Sequence, residues 1–236
     1  MFDSILPVSY YKEIATLNED HKVYIVQHVE TRKIYVKKVL TVYNPAVFEQ
    51  LFRHPVIHTP RIYAMYEKDD VLTVIEEYVS GETLQEVLDM GVSFSEPEVV
   101  DYAIKLCDIL SELHGQSPSI IHRDVKPSNI MLTEDSRIIL LDLNAARISQ
   151  DEKERDTRLL GTEGYAAPEQ FGFGNSTCQT DIYAVGNLIK NLLNPDSGRA
   201  KVSSRLQSVL DKCLQINPRD RFASAEHLKK CLSKCT

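Results

Sequence analysis

The chain has 236 residues, enough for one large domain or two small lobes that share an interface. A hydrophobic fraction of 43% and a charged fraction of 26% suit a globular protein, and a net charge of −7 argues against nucleic acid as a partner of the surface as a whole. Five cysteines without a Cys-x-x-Cys pair argue against a disulfide framework or zinc site and fit a reducing cytoplasm; no run approaches the roughly 18 apolar residues of a membrane span, and Met1–Tyr11 lacks the pattern of a signal peptide.

In chain order, Val23–Val26 and Ile34–Val36 are rich in β-branched and aromatic residues and flank a polar turn at Glu30–Lys33, which predicts two strands. Asn44 as cap and Pro45 at the first helical position open a short helix that reaches Arg53. Val71–Tyr78 reads as another strand, and Gly81 marks a break. Ser95 caps a helix with Pro97 near its start, and Val99, Ala103, Leu106, Leu110 and Leu113 repeat at helical spacing up to His114. Short strands and loops fill Ile120–Leu143, and Thr180–Leu193, Ser203–Leu214 and Ser224–Leu232 are helical. Strands first and helices after predict an α+β protein in two parts, 1–79 and 80–236.

The chemistry concentrates in Ile121-His122-Arg123-Asp124-Val125-Lys126-Pro127-Ser128-Asn129, which sets a carboxylate, an ammonium and a carboxamide in one short loop. Asp142 follows the apolar run Ile138–Leu141. Such a set suits phosphoryl transfer: one carboxylate accepts a hydroxyl proton, a second holds a metal, an amide adds a ligand and a lysine offsets phosphate charge.

The run HRDVKPSN resembles the catalytic loop of the protein kinases, which serve as a standard template for phosphoryl transfer. The resemblance implies that Asp124 is the catalytic base, that Lys126 meets the γ-phosphate, and that Asn129 and Asp142 are ligands of Mg2+ or Mn2+. Lys126 is the choice typical of serine/threonine kinases. Gly161–Glu169 is similar to the end of the kinase activation segment, where the Thr162 hydroxyl bridges Asp124 and Lys126. Asp181–Gly186 is similar to the helix whose Asp anchors the catalytic loop, and Arg221 matches the Arg that pairs with Glu169.

Upstream, Tyr35-Val36-Lys37-Lys38 resembles the strand that carries the ATP lysine. Strand alternation favours Lys38, because it brings small Val36 rather than Tyr35 to the adenine. The resemblance implies Glu49, in the helix Pro45–Arg53, as the partner of Lys38. It places Val23 and Val36 against the nucleotide, Glu77 and Val79 in the adenine-binding hinge, and Met131 beneath the adenine. Glu76 falls at the gatekeeper position beside the hinge, where an apolar residue is usual.

The chain departs from the family pattern in places. Thr16–Val23 contains no glycine where kinases have a glycine-rich phosphate loop, so a tight hairpin would rest on Asn18 and Asp20, and ATP affinity should be weaker or the loop should cover the nucleotide differently. Asn144 stands for a glycine, with tolerance of a left-handed backbone. The short spans Lys38–Glu49 and Asn194–Val202 make a minimal domain like bacterial relatives of the eukaryotic kinases. The implied function is ATP-dependent phosphorylation of Ser/Thr hydroxyls of a protein substrate, in the cytoplasm and without nucleic acid. The alternatives are a pseudokinase-type nucleotide-binding module and a small-molecule phosphotransferase. Arg123 implies an activating phosphate on Ser149 or Thr157, or an acidic substitute in Glu154 or Asp156.

Overall fold

The computed structural model describes residues 8–149, 162, 164–171, 175–193 and 202–235. The first part is a five-stranded antiparallel sheet built from β1 (Tyr11–Asn18), β2 (Val23–His28), β3 (Ile34–Leu40), β4 (Ile62–Lys68) and β5 (Val71–Glu77), in the order β1-β2-β3-β5-β4. Helix α1 (Pro45–Arg53) interrupts it between β3 and β4. The Asn44 side chain accepts from the Ala46 N–H at the start of α1, as the Asn-Pro pair predicts.

β1 and β4 were not legible as strands, and they are the two edges of the sheet. Neither shows a period of two: β1 buries little, and β4 buries Ile62, Ala64 and Met65 without strict alternation. In β1 only Tyr11 is buried and the seven residues after it are exposed.

The two faces of the sheet have separate roles. Tyr11, Val26, Ala64 and Ile75 form a small cluster on one face, with Tyr35 packed edge-on between Tyr11 and Tyr63. Val36, Lys38, Val74 and Glu76 share the other face, since β3 and β5 pair Val36 with Glu76 and Lys38 with Val74. That face carries the candidate site.

Past the sheet come β6 (Glu82–Thr83), α2 (Leu84–Asp89), α3 (Glu96–His114), β7 (Ile120–Ile121), β8 (Ile130–Leu132), β9 (Ile138–Leu140) and β10 (Arg147–Ile148), then α4 (Cys178–Leu193), α5 (Ser204–Cys213) and α6 (Ala225–Leu232). Gly81 leads into β6 where a Cβ would lie 2.3 Å from the Leu132 carbonyl oxygen, so no larger residue fits that crossing. The five apolar positions predicted for α3 are all fully buried, and Ser95 and Glu98 cap the helix reciprocally. α3 forms one continuous core with α4, α6 and the inner residues of the sheet, among them Leu40, Met65 and Leu72. This is the two-lobed α+β architecture of the protein kinases, a small antiparallel sheet followed by a mainly helical part.

Candidate active site

The catalytic-loop candidates lie between β7 and β8, in a segment whose backbone is held from below by α4. Asp181 is fully buried at the start of α4; one carboxylate oxygen accepts the His122 N–H at 2.9 Å and the other the Arg123 N–H at 2.8 Å. These bonds stabilise Arg123 at a φ of 71°, a left-handed backbone that a bulky residue rarely adopts. Gln170 adds a second hold, donating to the Arg123 carbonyl at 2.9 Å while accepting from the Ala167 N–H. Sequence reasoning did not single out Gln170.

His114 completes this support, with its Nε2 2.8 Å from the Asp181 carboxylate. Burial acts to lower its pKa, but Asp181, with Cys178 assisting, outweighs burial and raises it to about 9. The Asp181 carboxyl is shifted down: its burial acts upward, and His114 with the backbone donors overcomes it. His114 therefore carries a proton at neutral pH. A group whose folded pKa is raised stabilises fully below its unfolded value, about 6.5 for histidine, and loses that contribution as pH rises. Thermal stability should accordingly fall between about pH 6.5 and pH 9 by up to roughly 3 kcal/mol. Melting curves of His114→Gln should lose most of this slope; an unchanged slope would show that other groups cause it.

Above this support, four side chains converge. One Asp124 oxygen accepts from Asn129 at 2.9 Å and from Lys126 at 2.8 Å, and the other accepts from the Thr162 hydroxyl at 2.8 Å. Lys126 also donates to the Thr162 oxygen at 2.9 Å, so Thr162 bridges Lys126 and Asp124, the latter 38 residues away in sequence. Asn129 directs its amide donor to both the carboxylate and the carbonyl of Asp124, which leaves its amide oxygen free to serve as a ligand.

Asp142 follows β9 with a φ of 59° and accepts from the Asn144 N–H at 3.4 Å. The left-handed residue of this turn is thus Asp142 and not Asn144, which corrects the expectation that Asn144 would supply that conformation. Asp tolerates the region for the same reason as Asn, a short polar side chain that bonds locally.

On the sheet, Lys38 and not Lys37 faces the cleft. Lys37 projects from the opposite face, where it pairs with Glu13 at 2.7 Å. Lys38 meets Glu76 at 2.7 Å, with each side chain only 11% exposed. The expected partnership of Lys38 with Glu49 is not formed. Glu49 pairs with Arg53 on the outer surface of α1 and is 44% exposed. The buried residues of α1 are Val47, Phe48 and Leu51. At 100° per residue Glu49 lies roughly 150° around the helix from the middle of that face. The signal for Glu76 was present in the sequence, because a carboxylate at a buried strand position requires a cation.

Lys38 has Asp142 as a second negative neighbour. Burial acts to lower the Lys38 pKa, and the two carboxylates together raise it above its ordinary value. Burial also raises that of Glu76, with Asp142 adding to it and Lys38 opposing. A cation held between buried Glu76 and half-buried Asp142 keeps its proton.

Of the nucleotide-contact candidates, Val23 pairs with Lys38 across β2 and β3, and Val36 is buried beside it. Met131 lies half-buried on β8, and Glu77 ends β5 with Val79 two residues on. The β1–β2 turn closes without glycine: Asn18 accepts from the His21 N–H at 3.0 Å, and Lys22 takes the left-handed position with a φ of 51°. Glu154, Asp156 and Thr157 lie outside the described residues; Ser149 is within them, just past β10.

The protein kinase domain family matches residues 13–200, and the chain belongs to it. It is 30% identical to serine/threonine-protein kinase PknA of a Nostoc species, over 73% of this chain and 34% of that protein. It is 28% identical to serine/threonine-protein kinase B of a Synechocystis species, over 78% of this chain and 36% of that one, and 30% identical to mouse serine/threonine-protein kinase 32C, over 88% and 50%. The chain therefore spans a third to a half of the length of these relatives. Members of the family use ATP and a divalent metal to modify protein substrates. Among the described residues no helix is long and apolar enough to cross a membrane.

Proposed function

We propose that this chain is a serine/threonine protein kinase domain that transfers the γ-phosphoryl group of ATP to a protein hydroxyl. The observation that carries this reading is the convergence of Lys126, Asn129 and Thr162 on the Asp124 carboxylate, with Lys126 also bonded to Thr162. In the transfer, a bond forms between the substrate hydroxyl oxygen and the γ-phosphorus, and the bond to the β–γ bridging oxygen breaks to release ADP. Asp124 orients the hydroxyl and takes its proton. Lys126 offsets charge on the transferred group, and Thr162 keeps the two apart from other partners. Lys38 meets the phosphates from the sheet side. Residues 1–79 supply Val23 and Val36 above the adenine and Glu77–Val79 at its edge, and residues 80–236 supply Met131 beneath it.

The metal in this reading is Mg2+, with Mn2+ as a substitute, held by Asp142 and the Asn129 amide oxygen. One carboxylate and one amide oxygen are hard ligands, too few for an all-protein cage; such sites are completed by nucleotide phosphates and water. Among the described residues no group of three or more His, Cys, Asp or Glu side chains gathers as a metal site, in keeping with that shared coordination. When bound, the metal neutralises charge on the β- and γ-phosphates. A reducing, cytoplasmic setting fits the odd cysteine count.

Since the β1–β2 turn has no glycine, metal and hinge should carry most of the nucleotide affinity. Calorimetry with a non-hydrolysable ATP analogue should show affinity falling about tenfold or more, about 1.4 kcal/mol, when the divalent metal is chelated. Tight binding indifferent to chelation would remove Asp142 and Asn129 from the metal role. Phosphoserine and phosphothreonine should dominate the products, and phosphotyrosine as the main product would contradict the substrate class.

A further inference from the structure

We propose that Glu76, on strand β5, is the carboxylate that positions Lys38 for the nucleotide, and that helix α1 takes no part in doing so. This rests on the kinase reading above and adds to it a positioning residue at an unexpected place.

Three observations carry the inference. The first is the contact: Lys38 Nζ lies 2.7 Å from Glu76 Oε1, and both side chains are nearly closed to solvent. In such surroundings a charge pair is little screened, so the contact has a defined geometry rather than one of many surface rotamers. The second is the register. β3 and β5 are adjacent strands, Val36 lies opposite Glu76, and Lys38 is two residues along the same face. That diagonal is within reach of long side chains. β5 is itself flanked by β3 and β4, so the Glu76 backbone is held on both sides.

The third observation concerns the only other acid expected to serve. Glu49 points away from the buried face of α1, and Arg53 satisfies it there. Turning it inward would expose Val47, Phe48 and Leu51, which are 0%, 3% and 3% exposed. Exposing three buried apolar side chains costs several kcal/mol, about 1.5–3 for each. Lys38 already has a buried partner in Glu76 and Glu49 already has Arg53, so no unmet charge on either side offsets the turn.

The consequence is a lysine set by the sheet alone. Glu76 also keeps Lys38 from collapsing onto Asp142, its other negative neighbour. Without Glu76 the ammonium would compete for the carboxylate assigned to the metal.

The test compares steady-state kinetics and nucleotide affinity for Glu76→Gln, Glu49→Gln, Lys38→Met and the Lys38→Met/Glu76→Gln double variant. Glu76→Gln should lower kcat/KM for ATP by about ten- to a hundredfold, the scale of a misplaced reacting group. Glu49→Gln, whose side chain is outside the cleft, should stay within about twofold of wild type. In the Lys38→Met background, Glu76→Gln should cause no further loss of transfer or nucleotide affinity, and it should restore melting temperature by removing an unpaired buried charge. A loss that persists in that background would mean Glu76 acts on folding alone and would overturn the proposal. So would a larger loss from Glu49→Gln than from Glu76→Gln. A wild-type protein that neither binds nor uses ATP would overturn the kinase reading and this proposal with it; an active wild type with unaffected Glu76→Gln would overturn only the latter.

Discussion

Asp124→Asn is expected to cut phosphoryl transfer by roughly 10²–10⁴-fold, the usual contribution of a general base, while sparing nucleotide binding. The wild-type carboxylate accepts from three donors: the Asn129 amide, the Lys126 ammonium and the Thr162 hydroxyl. An amide keeps one acceptor and turns the other into a donor, so at least one of these contacts becomes donor against donor. The proton acceptor is lost, and Lys126 and Thr162 lose the anion that gathers them. Positioning dominates this chemistry, so disorder in these partners adds to the deficit. Asp142 and the hinge at Glu77–Val79, which carry metal and adenine in this reading, lie outside the Asp124 hydrogen bonds to Asn129, Lys126 and Thr162, and for that reason ATP affinity should largely persist. Incubation with labelled ATP, magnesium and a generic protein substrate, beside calorimetry on the same samples, measures both. Transfer at the wild-type rate would remove Asp124 from the base role, and lost nucleotide binding would mean a disturbed fold.

The second large effect is on stability. Arg221→Met should destabilise the protein by roughly 3–5 kcal/mol, read as a lower urea midpoint, because it strips a buried carboxylate of its counter-charge. Arg221 and Glu169 are 4% and 5% exposed and form a two-pronged pair at 2.7 and 2.9 Å. The guanidinium also donates to the carbonyls of Gln215, Gln179 and Ile216, and it lies over the Tyr183 ring at 4.7 Å. Adding Glu169→Gln to Arg221→Met should therefore recover only part of the loss, since three carbonyls stay unpaired. Full recovery would assign the whole effect to the charge pair. A single variant as stable as wild type would mean that water reaches Glu169 and solvates it. The pair also ties the segment ending at Phe171 to α4, through the Thr180 hydroxyl on Glu169 at 2.9 Å, so transfer should weaken along with stability.

The contrast between these two sites and the Lys38 site shows where sequence reasoning succeeds. The contacts among Asp124, Lys126 and Asn129 were legible because they are local. Asp124, Lys126 and Asn129 lie within six residues, and no packing decision is needed to bring them together. The helices other than α2, which sequence reasoning missed, were legible for a similar reason: Ser95 and Glu98 cap α3 from within one turn, and its buried stripe repeats inside the element. Lys38 over Lys37 also follows from local alternation, since one face of a strand must be chosen.

The partner of Lys38 was a different kind of question. Glu49 was expected from its spacing, but spacing along a helix does not say which side of that helix meets the core. Val47, Phe48 and Leu51 settle it by burying themselves, and Glu49 is carried to the outside with them. Glu76 becomes the partner only once β5 lies beside β3 in this register, a pairing between strands about 40 residues apart. The edge strands β1 and β4 were hidden because neither alternates: β1 buries only Tyr11, and a register shift between Ile62 and Ala64 breaks the period of β4. By itself, then, the sequence located the loop of Asp124, Lys126 and Asn129, the helices from α3 onward and the face of β3. The tertiary structure decided which carboxylate pairs with Lys38, since burial and strand register join residues that no local pattern relates.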